Sequence, residues 1–151
     1  MDHFYSGGFV CADTLVWEAD ASGLKLEGEI ACKGNIVIDV FKLIALVEPG
    51  ADPSDVHVLV QTFRYAYNAS VRGHGTFLRH DNAHAYPGHQ DQHHRHELDW
   101  RTGDELPGFP RWVGTEGWPT LGDFIQEVSD WYWKRRDELP EPDAVPVLGL
   151  R

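Results

Sequence analysis

Several residue types are scarce in this chain, and each scarcity narrows the class of protein. Only two cysteines are present, Cys11 and Cys32, so folding does not depend on a disulfide framework and two reduced thiols are expected. The longest apolar run, at 43–47, is far too short to span a bilayer. The N-terminal sequence MDHFYSGG lacks the basic start and the apolar run of a signal peptide. These features predict a soluble, cytoplasmic protein with no membrane partner.

Lysine is also scarce, with four residues against nine arginines, and the net charge is −11. Acidic surfaces repel nucleic acid, because affinity for the phosphate backbone comes mostly from Lys and Arg. Aspartate outnumbers glutamate by 14 to 10, however, and this mixture is typical of halophilic proteins, whose acidic surfaces keep them soluble. At molar salt the screening length falls to about 3 Å, so the net charge does not exclude RNA as a partner.

The length of 151 residues and the hydrophobic fraction of 42% predict a single domain over 1–151, with irregular tails at 1–8 and 140–151. Apolar residues at helical spacing predict one helix over 120–138, with Thr120 as its N-cap and Asp123 in the capping-box position. The fold is therefore predicted to be α+β: a curved antiparallel sheet of about five to seven strands, packed by one C-terminal α-helix. Alternating or β-branched segments predict strands at 9–18, 24–32, 35–47, 56–71, 77–80, 94–100 and 111–113.

The first two strands are predicted to form a hairpin, in a register that separates an apolar face from a polar face. That register places Cys11 opposite Cys32, as two neighbouring thiols or, alternatively, as a cross-strand disulfide. A tight turn at 34–35 would then place Asp39 of the third strand opposite Ile30. The same hairpin register pairs Asp13 with Ile30, Val16 with Glu27, Trp17 with Leu26, and Glu18 with Lys25.

Histidines are concentrated in one part of the chain. Seven of the nine lie between residues 74 and 96, where a strand end, a loop without periodicity and a new strand follow one another. The chemistry of the protein is therefore expected in this segment. The seven are His74, His80, His84, His89, His93, His94 and His96.

Three interpretations of this cluster remain open from the residues alone. In the first, His94 and His96 lie two apart on a strand and bind one metal ion together with Asp81 and His84 or His89. In the second, a pair of histidines acts as general acid and base in RNA cleavage, without a metal. In the third, the segment is a solvated, His-rich loop that binds divalent metals only weakly.

Two motifs of the segment carry a family resemblance. They read Arg79-His80-Asp81-Asn82-Ala83-His84 and, further on, His93-His94-Arg95-His96. The pair resembles the signature of the TumE-type toxin family of prokaryotic toxin–antitoxin modules, in which a strand ends in Arg-Tyr-Asp-Asn-Ala-Pro-His-His and a His-His-Lys-His run follows. An upstream aromatic strand, matched by 64–68, and a helix that begins near 121–124 are also typical of that family. The resemblance covers roughly residues 55–135.

The resemblance implies the toxin component of a type II module, with a protein antitoxin as its partner. The resemblance does not supply a mechanism. From the residues themselves we hypothesise an endoribonuclease in which His94 and His96 are acid and base. Arg79 would bind phosphate, and Asp81 would orient a histidine. His84 would assist catalysis or metal binding.

Further roles and alternatives use the same segment. Asn82 would shape the turn after the strand, because Asn tolerates such backbone conformations. Alternatively, the cluster is a non-catalytic metal- or ligand-binding module, or the protein is an inactive interaction protein. The metal ligands would be His84, His94, His96 and Asp81, and the ion a divalent transition metal such as zinc.

Overall fold

A computed structural model describes residues 2–20, 23–47, 59–83, 88 and 92–149 of the chain. Eight strands and a C-terminal helix lie within these residues, and the predicted α+β class is confirmed. The strands are β1 (Val10–Asp13), β2 (Val16–Asp20), β3 (Gly23–Cys32), β4 (Ile36–Val47), β5 (Leu59–Val71), β6 (Thr76–Asp81), β7 (His94–Glu97) and β8 (Arg111–Trp112).

All strand pairs are antiparallel, and the order in the sheet is β1-β3-β4-β5-β6-β7-β8. Strand β2 continues the edge beyond β1, because both pair with β3. This split explains why the strand count lies above the predicted range of five to seven. Gly28 of β3 has a φ of +146°, and a Cβ there would lie 2.5 Å from the carbonyl oxygen of Thr14. The chain between β1 and β2 therefore approaches β3 closely at Gly28, where a side chain would not fit.

The main helix, α2, spans Leu121–Arg135 and continues as a 3-10 turn over Arg136–Glu138. The predicted capping box is confirmed: Thr120 Oγ1 accepts a hydrogen bond from the Asp123 amide, and Asp123 Oδ2 accepts one from the Thr120 amide. At the N-terminus, where a tail was predicted, Asp2–Ser6 form a short helix, α1. No helix in the described part of the chain is both long and apolar enough to cross a membrane.

Helix α2 packs on one face of the sheet, and the hydrophobic core lies between them. Phe124 contacts Tyr67 of β5 with ring centroids 5.5 Å apart, and Trp131 stacks on Phe77 of β6 at 3.7 Å. Along each strand, every second side chain points instead to the opposite face of the sheet, which is called the open face below. No helix of the described residues lies on this face. The polar residues of β6 and β7 therefore divide between a helix-covered face and the open face.

The hairpin register is confirmed for β2 and β3, where Trp17 pairs with Leu26, but the predicted pairing of the cysteines is wrong. Cys32 pairs with Val10, because a β-bulge at Cys11 shifts the register by one residue. Both thiols are free, Cys11 on the surface and Cys32 in the core. Burial raises the pKa of the Cys32 thiol, and the nearby Cys11 adds to the rise.

The register of β4 on β3 and the end of β7 also differ from prediction. Asp39 pairs with Glu29 rather than Ile30, because Cys32 pairs with Ile36 around a three-residue turn. Asp39 consequently lies on the open face. Strand β7 ends at Glu97 rather than Trp100, because the chain turns at Asp99, whose Oδ1 accepts a hydrogen bond from the Arg101 amide. The start of the predicted strand at 56–71 lies partly outside the described residues.

Candidate metal centre

The pairing of β6 with β7 brings the two sequence motifs together. Asp81 pairs with His94, and Arg79 pairs with His96. Because side chains alternate along a strand, these four side chains share the open face. Four of the predicted site residues therefore form one cluster at the end of β6.

Three of these side chains have the geometry of a metal site. Asp81, His94 and His96 each offer one ligand atom, and the three atoms lie within 4.8 Å of one another. Asp81 Oδ1 is 3.6 Å from His94 Nε2, and the two imidazole rings are 4.9 Å apart. Asp81 and His94 are buried and His96 is partly buried. One carboxylate and two imidazoles are a ligand set that zinc and other divalent transition metals accept.

The outer nitrogen of each imidazole is bound to a protein acceptor. His94 Nδ1 lies 2.6 Å from the carbonyl oxygen of Gln92, and His96 Nδ1 is hydrogen-bonded to the carboxylate of Glu105. A carbonyl oxygen only accepts, so the neutral His94 ring carries its proton on Nδ1. Nε2 of each ring is then left with its lone pair, and Nε2 of His96 is buried without a hydrogen-bond partner among the described residues. Histidines that bind metals are held in this way.

Asp81 is kept ionised by its neighbours. Arg79 Nε donates to Asp81 Oδ2 at 2.6 Å, and the Ala83 amide donates to Oδ1 at 3.0 Å. Burial alone would raise the pKa of Asp81, but the hydrogen bond from the Ala83 amide and the positive charge of Arg79 outweigh it and lower the pKa. The sequence predicts that Asp81 orients a histidine. In the structure the Asp81 carboxylate lies beside the ring of His94.

Arg79 connects the cluster with a cleft on the open face. Its Nε binds Asp81, while the side chain is 41% exposed and lines a cleft of about 560 Å³. Asn82, predicted to shape the turn after β6, joins this end of the strand to β5. Its Oδ1 accepts a hydrogen bond from the Tyr65 amide at 2.8 Å, and its Nδ2 donates to the carbonyl of Phe63 at 3.0 Å. His84 and His89 lie outside the described residues.

Sequence reasoning missed a second polar cluster, on the helix-covered face of the same strands. Arg95 forms ion pairs with Glu97, at 2.5 Å, and with Glu127 of α2. His80 Nε2 lies 3.4 Å from the other Glu127 oxygen. Burial would raise the pKa of Glu127, but His80 and Arg95 outweigh it and lower the pKa. A signal was present, because Glu127 interrupts the apolar stripe of the helix between Phe124 and Val128.

Glu105 was also missed, since it lies in an aperiodic Gly/Pro-rich loop. The loop returns to β7 through a bridge between Leu98 and Glu105 and a hydrogen bond from the Leu106 amide to the Glu97 carbonyl. This return places the Glu105 carboxylate behind His96.

Comparisons with protein-family models, with curated proteins and with solved structures found no match to this chain.

Glu105→Gln tests whether this carboxylate supports a metal ligand. The amide oxygen can still accept a hydrogen bond from His96 Nδ1 but carries no charge, so the imidazole becomes a weaker donor to a metal. We expect zinc affinity to fall about 10–100-fold while one site per chain is kept at saturation, as measured by competition with a chromophoric chelator. Glu116→Gln, an exposed carboxylate in the loop before α2, is the control and should leave affinity unchanged. Equal affinities for Glu105→Gln and wild type would show that Glu105 plays no such part.

Proposed function

We propose that Asp81, His94 and His96 bind one divalent transition metal ion, with zinc the first to test, and that the protein is a metal-dependent endoribonuclease. The observation that carries the proposal is the orientation of the two imidazoles. Each turns Nδ1 towards a fixed acceptor, and one ligand atom from each ring lies within 4.8 Å of the other and of the Asp81 carboxylate. Such an ion, when bound, lowers the pKa of a coordinated water and neutralises charge on a phosphoryl group.

Arg79 supplies the second element of the proposal. Its guanidinium is fixed through Nε by Asp81, and its exposed remainder faces the cleft. A guanidinium presents paired N–H donors that match a phosphate, so Arg79 would hold the phosphodiester beside the metal ligands. Asp81 is thus shared between the two functions, through Oδ2 towards Arg79 and through Oδ1 towards the ligand atom of His94.

The arrangement favours a metal over an acid–base pair of histidines. A general acid must present its proton to the substrate, but the proton of neutral His94 is directed to the carbonyl oxygen of Gln92. The toxin role and the protein antitoxin remain part of the proposal, and their support is the resemblance of the two motifs to the TumE-type family.

The test combines RNA cleavage with growth. Untagged protein loaded with zinc should cleave RNA, chelation should stop cleavage, and added zinc should restore it. Arg79→Lys keeps the charge but loses the planar donor pair, and should lower the cleavage rate about 100-fold with metal content unchanged. Expression should arrest growth unless the adjacent reading frame is co-expressed. No cleavage with zinc, manganese or nickel, together with normal growth, would overturn the proposal.

A second candidate function is a metal-binding module in which no bond is broken. It is favoured by the burial of Asp81 and His94, both 0% exposed, because structural metal sites are closed. The two candidates differ in their response to chelation. A structural site predicts a large fall in melting temperature with no RNA cleavage at any stage.

A further inference from the structure

The open face carries two rows of side chains that lead away from the metal ligands. The pairings of β3, β4, β5, β6 and β7 place directly opposed residues side by side, about 4.7–4.9 Å from strand to strand. One row contains Arg79 and the other contains Asp81, so the cleft begins at the proposed site. The first row is Glu29, Asp39, Asn68, Arg79 and His96, and the second is Glu27, Phe41, Ala66, Asp81 and His94.

The cleft along these rows is polar at both ends and has an aromatic ring in its floor. Arg79 lines one end, and Asp39 lies two strands away, a separation of about 10 Å by strand spacing. Ala66 lies between Phe41 and Asp81, and its small side chain leaves the floor low at that point. The Arg64 guanidinium lies 6.0 Å from the centre of the Phe41 ring, so a positively charged group already lies beside this part of the floor.

Asp39 is held as a pure acceptor facing the cleft. Thr76 Oγ1 donates to Asn68 Oδ1 at 3.1 Å, which fixes the amide so that Asn68 Nδ2 donates to Asp39 Oδ2 at 3.3 Å. The carboxylate is partly exposed, and its position is set by two neighbouring strands rather than by a loop. A ligand group that meets Asp39 must therefore bring N–H or O–H donors.

The order of these groups matches one nucleotide. A phosphate would bind Arg79, a flat ring would lie over Ala66 and Phe41, and the edge of the ring would donate to Asp39. Aromatic rings stack bases whatever the sequence, whereas a carboxylate accepts only from bases with suitably placed N–H groups. Guanine offers two adjacent donors on its pairing edge, N1–H and N2–H, which match the two oxygens of one carboxylate.

From this geometry we infer that the cleft is a base-recognition subsite that selects guanine next to the phosphate held by Arg79. The inference rests on the proposed function for the identity of that phosphate, but nucleotide binding can be measured without cleavage. It assigns specificity to Asp39 and stacking to Phe41, two residues outside the histidine segment. Two further carboxylates, Glu18 and Glu27, also line the cleft, and both pair with Lys25.

Calorimetric titration with guanosine, adenosine and uridine monophosphates tests the subsite. Wild-type protein should prefer the guanosine nucleotide, and Asp39→Asn should lower that affinity about 10-fold or more while changing the adenosine affinity less than 2-fold. Phe41→Leu keeps the apolar contact but removes the aromatic face, and should lower the binding affinity for all three nucleotides about equally. Glu116→Gln is the control and should change none of them.

The outcomes separate this inference from the proposed function. Guanine-selective binding that depends on Asp39 supports the subsite even if the protein cleaves no RNA. Cleavage with no base preference, and unchanged binding in Asp39→Asn, would overturn the subsite and leave the endoribonuclease proposal standing. A cleft that binds a lysine-rich peptide through Asp39 but no nucleotide would also overturn it.

Discussion

Zinc binding should be lost when either imidazole ligand is removed. Wild-type protein, untagged and dialysed against zinc, is expected to hold about one ion per chain, and His94→Ala and His96→Ala to hold almost none. The reason is that two ligands cannot complete a stable site when the third position is open to water. Elemental analysis measures the stoichiometry, and added zinc should raise the melting temperature of the wild type alone.

The choice of controls makes this result specific to the cluster. His74→Ala removes an exposed histidine of the same sheet, at the turn between β5 and β6, and should leave zinc content at the wild-type level. Circular dichroism of His96→Ala without metal, compared with that of chelated wild type, shows whether the variant is folded. Full zinc content in both single variants would show that the ion is bound elsewhere.

Glu127→Ala should give the largest loss of stability among single surface-accessible substitutions. It removes the carboxylate that Arg95 and His80 share beneath α2, and breaking a buried ion pair by removing one partner costs about 3–5 kcal/mol. Arg95 keeps its ion pair with Glu97, which lowers the cost. A third of the Glu127 side chain is exposed, so water offsets part of this cost and we expect about 2–3 kcal/mol. For a chain of this size the melting temperature should fall by about 4–12 °C.

Glu138→Ala provides the matched control. Glu138 pairs with Arg101 at 3.0 Å, but both side chains are nearly half exposed, so their removal should cost about 0–1 kcal/mol. The comparison therefore isolates burial, since both variants remove one glutamate from an ion pair with arginine. Equal losses of stability in the two variants would contradict the buried role assigned to Glu127.

Hydrophobic pattern was sufficient to predict the elements that are half-buried. Alternation identified β2 and β3 and their register, because a slip would have moved Leu26 out of the core. The capping residue Thr120 and the apolar stripe identified α2. Both patterns follow from local geometry, which a sequence records directly.

Departures from regular geometry were not predictable. A bulge at Cys11 adds one residue to β1, and nothing in an apolar pattern distinguishes a bulge from a continuous strand. The turn at 33–35 differs by one residue from the predicted one, and that difference moves Asp39 to the opposite face of the sheet. Errors of one residue in a β-protein thus change which side chains share a surface.

The site was predictable where its residues lie on strands and not where they lie elsewhere. His94 and His96 are two apart on β7, so their common face followed from the sequence. Glu105 and Gln92 support these rings from loops, and a loop partner depends on the path of the chain rather than on spacing. The pairing of Asp81 with His94 required knowledge that β6 and β7 are neighbours.

Polar groups on both faces of β7 have a consequence for the way that this strand is aligned. A slip of one residue would place Arg95 beside Asp81 and the two histidines beneath the helix, without exposing any large apolar side chain. The alignment of β7 therefore depends on charge and coordination instead of on hydrophobic contrast. An ion bound between β6 and β7 would fix the register of these two strands. The amides of β7 would then exchange with solvent slowly only while the ion is bound.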